Sequence, residues 1–152
     1  DGYLDLAVGA EGSNAVYLFN GPLSGSAVGT GSADATVSGP SGGVLGDAVD
    51  LSGDVDDDGY DDLVAGSWAS SSYKGVVYMH LGPLSGSVSA GSAAGTWTGG
   101  SNYDYASLDQ SLSFVGDVSG NGYDDIAVGA TREDSNSTNA GAAWLMVGGP
   151  NY

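Results

Sequence analysis

The sequence contains no cysteine. Disulfide frameworks, thiolate zinc sites and cysteine nucleophiles are therefore excluded. Basic residues are nearly absent as well: one Lys and one Arg stand against 19 acidic residues, for a formal charge of −17. Nucleic-acid binding needs a basic footprint that displaces phosphate counterions, and two cations do not supply one. An anionic membrane surface is disfavoured on the same ground. No stretch approaches the roughly 18 apolar residues of a spanning helix, so direct membrane insertion is not expected. There is no initiator Met and no signal peptide, as expected of a processed or excerpted chain. Glutamate is the last scarcity. Only two acids are Glu, whereas 17 are Asp. Solubility alone would recruit both, so the bias suggests that short carboxylates serve a geometry.

What is present describes a folded domain. The 152 residues are 41% hydrophobic and include nine Tyr and three Trp, unlike a disordered acidic tail. Of the 17 Asp, 11 fall in three short segments: Asp1 to Asp5, Asp54 to Asp62 and Asp117 to Asp125.

Those segments belong to a repeat with a period near 60. DGYLDLAVGA (1–10) returns as DGYDDLVAGS (58–67) and NGYDDIAVGA (121–130). AVYLFNGPLSGS (15–26) returns as VVYMHLGPLSGS (76–87) and, more loosely, as AAWLMVGGPNY (142–152). DATVSG (34–39) is answered by AGTWTG (94–99). The repeat units are approximately 1–53, 54–116 and 117–152. Within them lie short Val-rich and aromatic runs bounded by Gly, Ser, Asn and Pro, which is strand composition. No stretch has helical periodicity with caps, and 28 glycines would break one. Ten strands are predicted, over 4–9, 15–20, 35–38, 46–52, 62–67, 75–81, 95–98, 111–116, 125–130 and 142–147. Four strands per unit of this length is propeller arithmetic. A Greek-key sandwich would not repeat its side chains in register. The expected fold is all-β, made of propeller blades of four antiparallel strands. About two and a half blades are present, and closure takes about 4–8, so the segment is incomplete as a lone ring.

The segment Asp54-Val55-Asp56-Asp57-Asp58-Gly59-Tyr60-Asp61-Asp62 places carboxylates at positions 1, 3 and 5 and a Gly at position 6. Alternate side chains point inward around a hard cation, and the Gly permits the sharp turn. Tyr60 at position 7 would offer its backbone carbonyl, and Asp62 at position 9 a last carboxylate. Calcium, with six to eight oxygen ligands in flexible geometry, is the expected cofactor; magnesium prefers a tighter octahedron that keeps its waters. An EF-hand needs an acid at position 12. Here that position is Ala65 or Val128, each inside an apolar strand, so the EF-hand reading fails. The third unit keeps Asp117 and Asp125, substitutes the neutral oxygens of Ser119 and Asn121, and retains Tyr123. Fewer charges predict weaker calcium binding there. The first unit retains only Asp1, Tyr3 and Asp5 of the pattern and would bind poorly alone. A chain opening inside such a loop is expected to be an excerpt of a longer array, or to assemble with copies.

With these residues in view, LGDAVDLSGDVDDDGYDDLVAGS (45–67) resembles the FG-GAP repeat of integrin alpha-subunit propellers and related bacterial surface proteins. Leu45-Gly46 stands for the family's Phe-Gly-like pair. Gly9-Ala10, Gly66-Ser67 and Gly129-Ala130 stand for its Gly-Ala-Pro-like corner, without the proline. In the third unit the first pair has become Tyr105-Ala106, with longer spacing. The resemblance covers nearly the whole chain. It implies an extracellular or cell-surface array stabilised by calcium and used in adhesion or ligand binding.

Enzymatic readings find little support. His80 is the only histidine. The repeat places it opposite Phe19 and Met146, which marks a packing position and removes a Ser/His/Asp triad. Outside the Asp loops the acids are Glu11, Asp34, Asp47, Asp50, Asp104, Asp109, Glu133 and Asp134. None recurs as a pair suited to glycoside hydrolysis, so no enzyme is expected. The loops after the Gly corners (10–14, 67–74 and 130–140) vary most and hold both cations, Lys74 and Arg132, with Trp68 and Tyr73. Variable loops on a rigid scaffold are candidate binding surfaces. In the resembled family the ligand face is likewise built from inter-strand loops, away from the metals. A protein or glycan ligand, or further copies of the chain, are the expected partners. The alternatives to a binding module are a structural block of an extracellular homopolymer or filament and a non-catalytic propeller attached to an enzyme.

Overall fold

A computed structural model describes residues 3–25, 29–100, 105–106, 111–133 and 140–151. Eleven strands appear among them: β1 (Leu6–Ala10), β2 (Ala15–Phe19), β3 (Ala35–Ser38), β4 (Val49–Gly53), β5 (Asp62–Ser67), β6 (Val76–His80), β7 (Gly86–Ser89), β8 (Gly95–Thr98), β9 (Leu112–Gly116), β10 (Asp125–Ala130) and β11 (Ala142–Met146). They form three sheets in the orders β1-β2-β3-β7, β4-β5-β6-β8 and β9-β10-β11. These are blades of an incomplete β-propeller. The ten strands predicted from the repeats are all present, with ends moved by up to three residues.

The middle blade explains why β5 and β6 are apolar without alternation. Every residue of both strands is buried, because the blade is covered on both faces. Alternate side chains therefore serve two cores. Leu63, Ala65, Val76 and Tyr78 join Val16, Leu18, Val37 and Leu45 on one side. Val64, Val77 and Met79 join Leu112, Phe114, Ile126 and Val128 on the other. Each fully buried aliphatic side chain contributes about 1.5–3 kcal/mol from water exclusion. The register also settles His80. It is buried and pairs with Leu63, just as Phe19 pairs with Leu6 and Met146 with Ile126. Burial pushes its imidazole below the ordinary histidine range.

Two features differ from the sequence reading. β7 was not foreseen, and it runs parallel to β3, pairing Ala35 with Gly86 and Val37 with Val88. Its sequence, GSVS, has too little apolar alternation to signal a strand. Main-chain hydrogen bonds to the outer edge of the preceding blade hold it, so that edge is covered. The antiparallel pattern thus holds within β1-β2-β3 and in the other two sheets. Second, the repeat divisions at 53/54 and 116/117 fall inside sheets, because β4 pairs with β5 and β9 with β10.

Neighbouring blades touch closely where glycine allows it. A Cβ on Gly9 would collide with the backbone carbonyl of Gly46, itself at φ +101°. Asp50 of β4 reaches across to β9, accepting hydrogen bonds from the Ser113 hydroxyl (2.8 Å) and the Phe114 N–H (3.0 Å). Burial opposes ionisation of Asp50, yet the donors Ser52, Ser113 and Phe114 together hold its carboxyl below the usual range.

Candidate metal centre

Each blade that is described through its first two strands enters its acidic loop at an irregularity in the ladder. The β4–β5 register shifts between Asp50 and Gly53, and the β9–β10 register shifts between Asp125 and Ile126. Gly53 then faces Asp62, and Gly116 faces Asp125. The loop is thereby anchored at both ends to paired strands.

Asp54 organises the second loop. Its Oδ1 accepts from the Asp58 N–H (3.1 Å) and its Oδ2 from the Gly59 N–H (2.8 Å). Asp58 Oδ1 accepts from the Tyr60 N–H at 2.9 Å. Gly59 sits at φ +90°, as the turn requires, and Asp57 at φ +60°. Carboxylate oxygens of Asp54, Asp56 and Asp58 converge within 4.8 Å of one another. Among the described residues this is the only such acidic group. Asp56 Oδ1 is sequestered from solvent and has no hydrogen-bond partner. Burial, then the charges of Asp58 and Asp54, raise the Asp56 carboxyl above the ordinary range. A sequestered, unpartnered carboxylate oxygen beside two like charges is an arrangement that a cation would satisfy. The donor set is all oxygen, which suits a hard ion.

Asp62 takes a different place. It is fully buried, with Oδ2 accepting from the Val55 N–H (2.7 Å) and Oδ1 from the Gly82 N–H (2.8 Å). Burial pushes its carboxyl up to about 6, partly offset by those two N–H groups. The same bond recurs in the other blades: Gly21 N–H donates to Asp5 Oδ1 (2.8 Å) and Gly148 N–H to Asp125 Oδ1 (3.0 Å). The position-9 carboxylate thus locks the segment after β2, β6 or β11 to the acidic loop.

The third loop is satisfied largely by its own backbone. Asp117 accepts from the N–H groups of Gly120 (2.7 Å), Asn121 (2.9 Å) and Gly122 (2.8 Å). Those bonds, that of Gly122 foremost, hold its carboxyl below the usual range. Asn121 Oδ1 accepts from the Tyr123 N–H at 3.0 Å, the counterpart of Asp58 with Tyr60. Ser119 donates its N–H to Asp125 Oδ2 at 2.7 Å. Of the first loop, Tyr3 and Asp5 are exposed, and Asp1 lies outside the described residues.

The second and third loops are also bonded to each other, which the sequence did not signal. Asp124 Oδ2 accepts from the Asp54 N–H (3.1 Å), and the Asp124 N–H donates to the Asp54 carbonyl (3.2 Å). Gly149 N–H donates to the Val55 carbonyl at 2.8 Å.

The opposite end of β5 carries the other candidate residues, about 20 Å away at strand rise over six residues. Trp68, Tyr73 and Tyr105 gather with ring centroids 5.8–5.9 Å apart. The Arg132 guanidinium lies over the Tyr105 ring, 5.0 Å from its centroid. Lys74 Nζ is 3.5 Å from the Gly100 carbonyl. Trp68, Tyr73 and Arg132 are therefore brought together, with Lys74 beside Tyr73 in the chain. Tyr105 was missed as a member, since the sequence marked it only as the substitute for Leu45 in the third unit.

Residues 110–146, which span β9 to β11 and the third acidic loop, match the family model of the FG-GAP repeat. Residues 110–146 therefore carry an FG-GAP repeat. Integrin alpha-4 of Xenopus laevis is 34% identical to this chain over 93 residues, covering 60% of it and 9% of the relative. The chain thus spans about 9% of the length of that curated relative. FG-GAP repeats of integrin alpha subunits are generally calcium-binding, and this chain carries an acidic cluster at Asp54, Asp56 and Asp58.

Proposed function

We propose that this segment is an extracellular calcium-binding propeller module, serving adhesion or ligand binding without catalysis. The observation that carries the metal reading is the unpartnered Asp56 oxygen within the three-carboxylate cluster. Asp54, Asp56 and Asp58 would hold the ion, with the Tyr60 carbonyl and Asp62 completing the set. The neutral oxygens of Ser119 and Asn121 make the Asp117–Asp125 loop the weaker site, with the Tyr123 carbonyl as a further donor. Bound calcium would supply the positive charge that crowded carboxylates lack, which stabilises the blades. The likeness to an integrin alpha subunit supports a cell-surface role with a protein or glycan ligand.

Calorimetric titration with calcium, repeated after chelation, tests the proposal. Saturable binding, tighter at the second loop than the third, is the expected result. No binding at millimolar calcium would overturn it. A structural role in an assembly of copies is the second reading, favoured by the outer edge of β8. Among the described residues that strand pairs only with β6, whereas the equivalent edge of β3 is covered by β7. Light scattering on the same samples reads it: assembly that collapses on chelation supports the second reading.

A pH dependence follows from Asp62. Its calcium-free carboxyl ionises at about 6, against the ordinary 3.8. A raised carboxyl favours the protonated folded form, so this contribution to stability is fully present below about pH 4 and is lost as pH rises through about 6. A nearby cation favours the carboxylate, so binding near pH 6 must displace a proton. Calcium affinity is expected to fall by up to about tenfold per pH unit below about 6. Titrations in buffers of different ionisation enthalpy measure the released proton. Affinity unchanged across that range would rule out the linkage.

A further inference from the structure

The aromatic cluster at the far end of β5 stands apart from the metal loops in place and in chemistry. The chain has one Lys and one Arg in 152 residues, and both border this cluster. Its rings are inclined to one another by 33°, 34° and 48°. Tyr73 remains 42% exposed, and Trp68 and Tyr105 are partly exposed, so the cluster reaches solvent. The backbone that presents Tyr73 is unusual. Ser71, Ser72 and Tyr73 are three successive non-glycine residues at φ 56°, 61° and 63°. Each such residue costs on the order of 1 kcal/mol, and this kind of strain gathers at binding and catalytic sites.

We propose that Trp68, Tyr73, Tyr105 and Arg132 form a binding site for a carboxylate-bearing pyranose, the end group of an acidic glycan. The inference rests on the ligand-binding reading above and names its site and ligand chemistry. Partly exposed indole and phenol rings offer flat apolar faces with a negative quadrupole. The C–H face of a pyranose is apolar, weakly positive and of matching size. Arg132 places its guanidinium carbon over the Tyr105 ring, 5.0 Å from the centroid. A carboxylate is the acceptor that the guanidinium's N–H fork fits best. The exposed Ser71 and Ser72 lie on the same turn as Tyr73 and can meet sugar hydroxyls. The formal charge of −17 repels long polyanions, phosphate chains included. A single carboxylate, placed at the one cationic spot, is the anionic chemistry this surface accepts.

The test uses methyl β-glucuronide and methyl β-glucoside, which differ only in the carboxylate, with N-acetyl-aspartate amide as the peptide-like acid. Binding is followed in excess calcium by tryptophan fluorescence and by saturation-transfer NMR of the ring protons. The glucuronide is expected to bind about tenfold tighter than the glucoside, as one charge-assisted pair allows. Arg132→Gln is expected to remove that difference, lowering glucuronide affinity about tenfold to that of the glucoside. Trp68→Ala is expected to abolish both. Arg132 is exposed, so its variant keeps the test readable if Trp68→Ala does not fold. Equal binding of the aspartate amide would overturn the sugar assignment. Glucuronide affinity indifferent to Arg132→Gln would overturn the site, and it would also reveal attachment through calcium at the acidic loops. Absence of saturable binding by any of the three probes would overturn the proposal as a whole. Calcium titration without sugar scores the metal reading separately.

Discussion

Replacing Asp54 by alanine is expected to reduce calcium affinity on the order of 100-fold at the second loop. The effect has two sources. One carboxylate leaves a cluster of three whose oxygens lie within 4.8 Å, lowering the charge that attracts the ion. The same side chain also shapes the loop by accepting the Asp58 and Gly59 N–H groups, and losing both releases the turn that aims Asp56 and Asp58. Both N–H groups are exposed, so water replaces the lost acceptor, and under chelation the drop in thermal stability is modest, about 0.5–1.5 kcal/mol per bond at most. Asp57→Asn is the matched control. It removes one charge from the same loop, but Asp57 is exposed and lies outside the convergent cluster. Its left-handed backbone is one that Asn also adopts readily. Calorimetry of the two variants separates site geometry from general acidity. Equal losses in both would show that the loop is only a diffuse acidic turn.

Asp124→Ala is expected to weaken calcium binding at the second loop about tenfold, although Asp124 belongs to the third. Its carboxylate accepts the Asp54 N–H at 3.1 Å, and its own N–H donates to the Asp54 carbonyl at 3.2 Å. The first bond is lost with the side chain, and the backbone of Asp54 is then held from one side only. The two loops therefore form one unit across a blade boundary, and order in one supports the other. Calcium isotherms of the variant should also lose any coupling between the tighter and weaker sites. Asp61→Ala, the corresponding but more exposed position of the second loop, provides the comparison for removing one carboxylate. An Asp124→Ala isotherm matching that of the unmodified chain would show that the loops act independently.

The blade architecture was legible because it is written several times. Local rules place β2, β6 and β11 wherever apolar residues fall between Gly and Pro, and the common register of Phe19, His80 and Met146 follows from repetition. The acidic loops were legible for a related reason: ligand spacing in a tight turn is a matter of neighbouring residues, and a Gly at position 6 announces the turn. β7 was not legible. Gly86–Ser89 carries no pattern of its own, and only the open edge of β3, some fifty residues earlier, makes it a strand.

Sequence by itself determined the period, the strand positions, the all-β class and the cation-suited spacing of Asp54, Asp56 and Asp58, because each depends on contacts within a few residues. The tertiary structure alone decided which loops meet. It bonded Asp124 to Asp54 and Asp50 to Ser113, and it stacked Tyr105 among Trp68, Tyr73 and Arg132. It also assigned Asp62 to the backbone of Val55 and Gly82. Such pairings join residues far apart in the chain, and their partners are chosen by how one blade packs against the next.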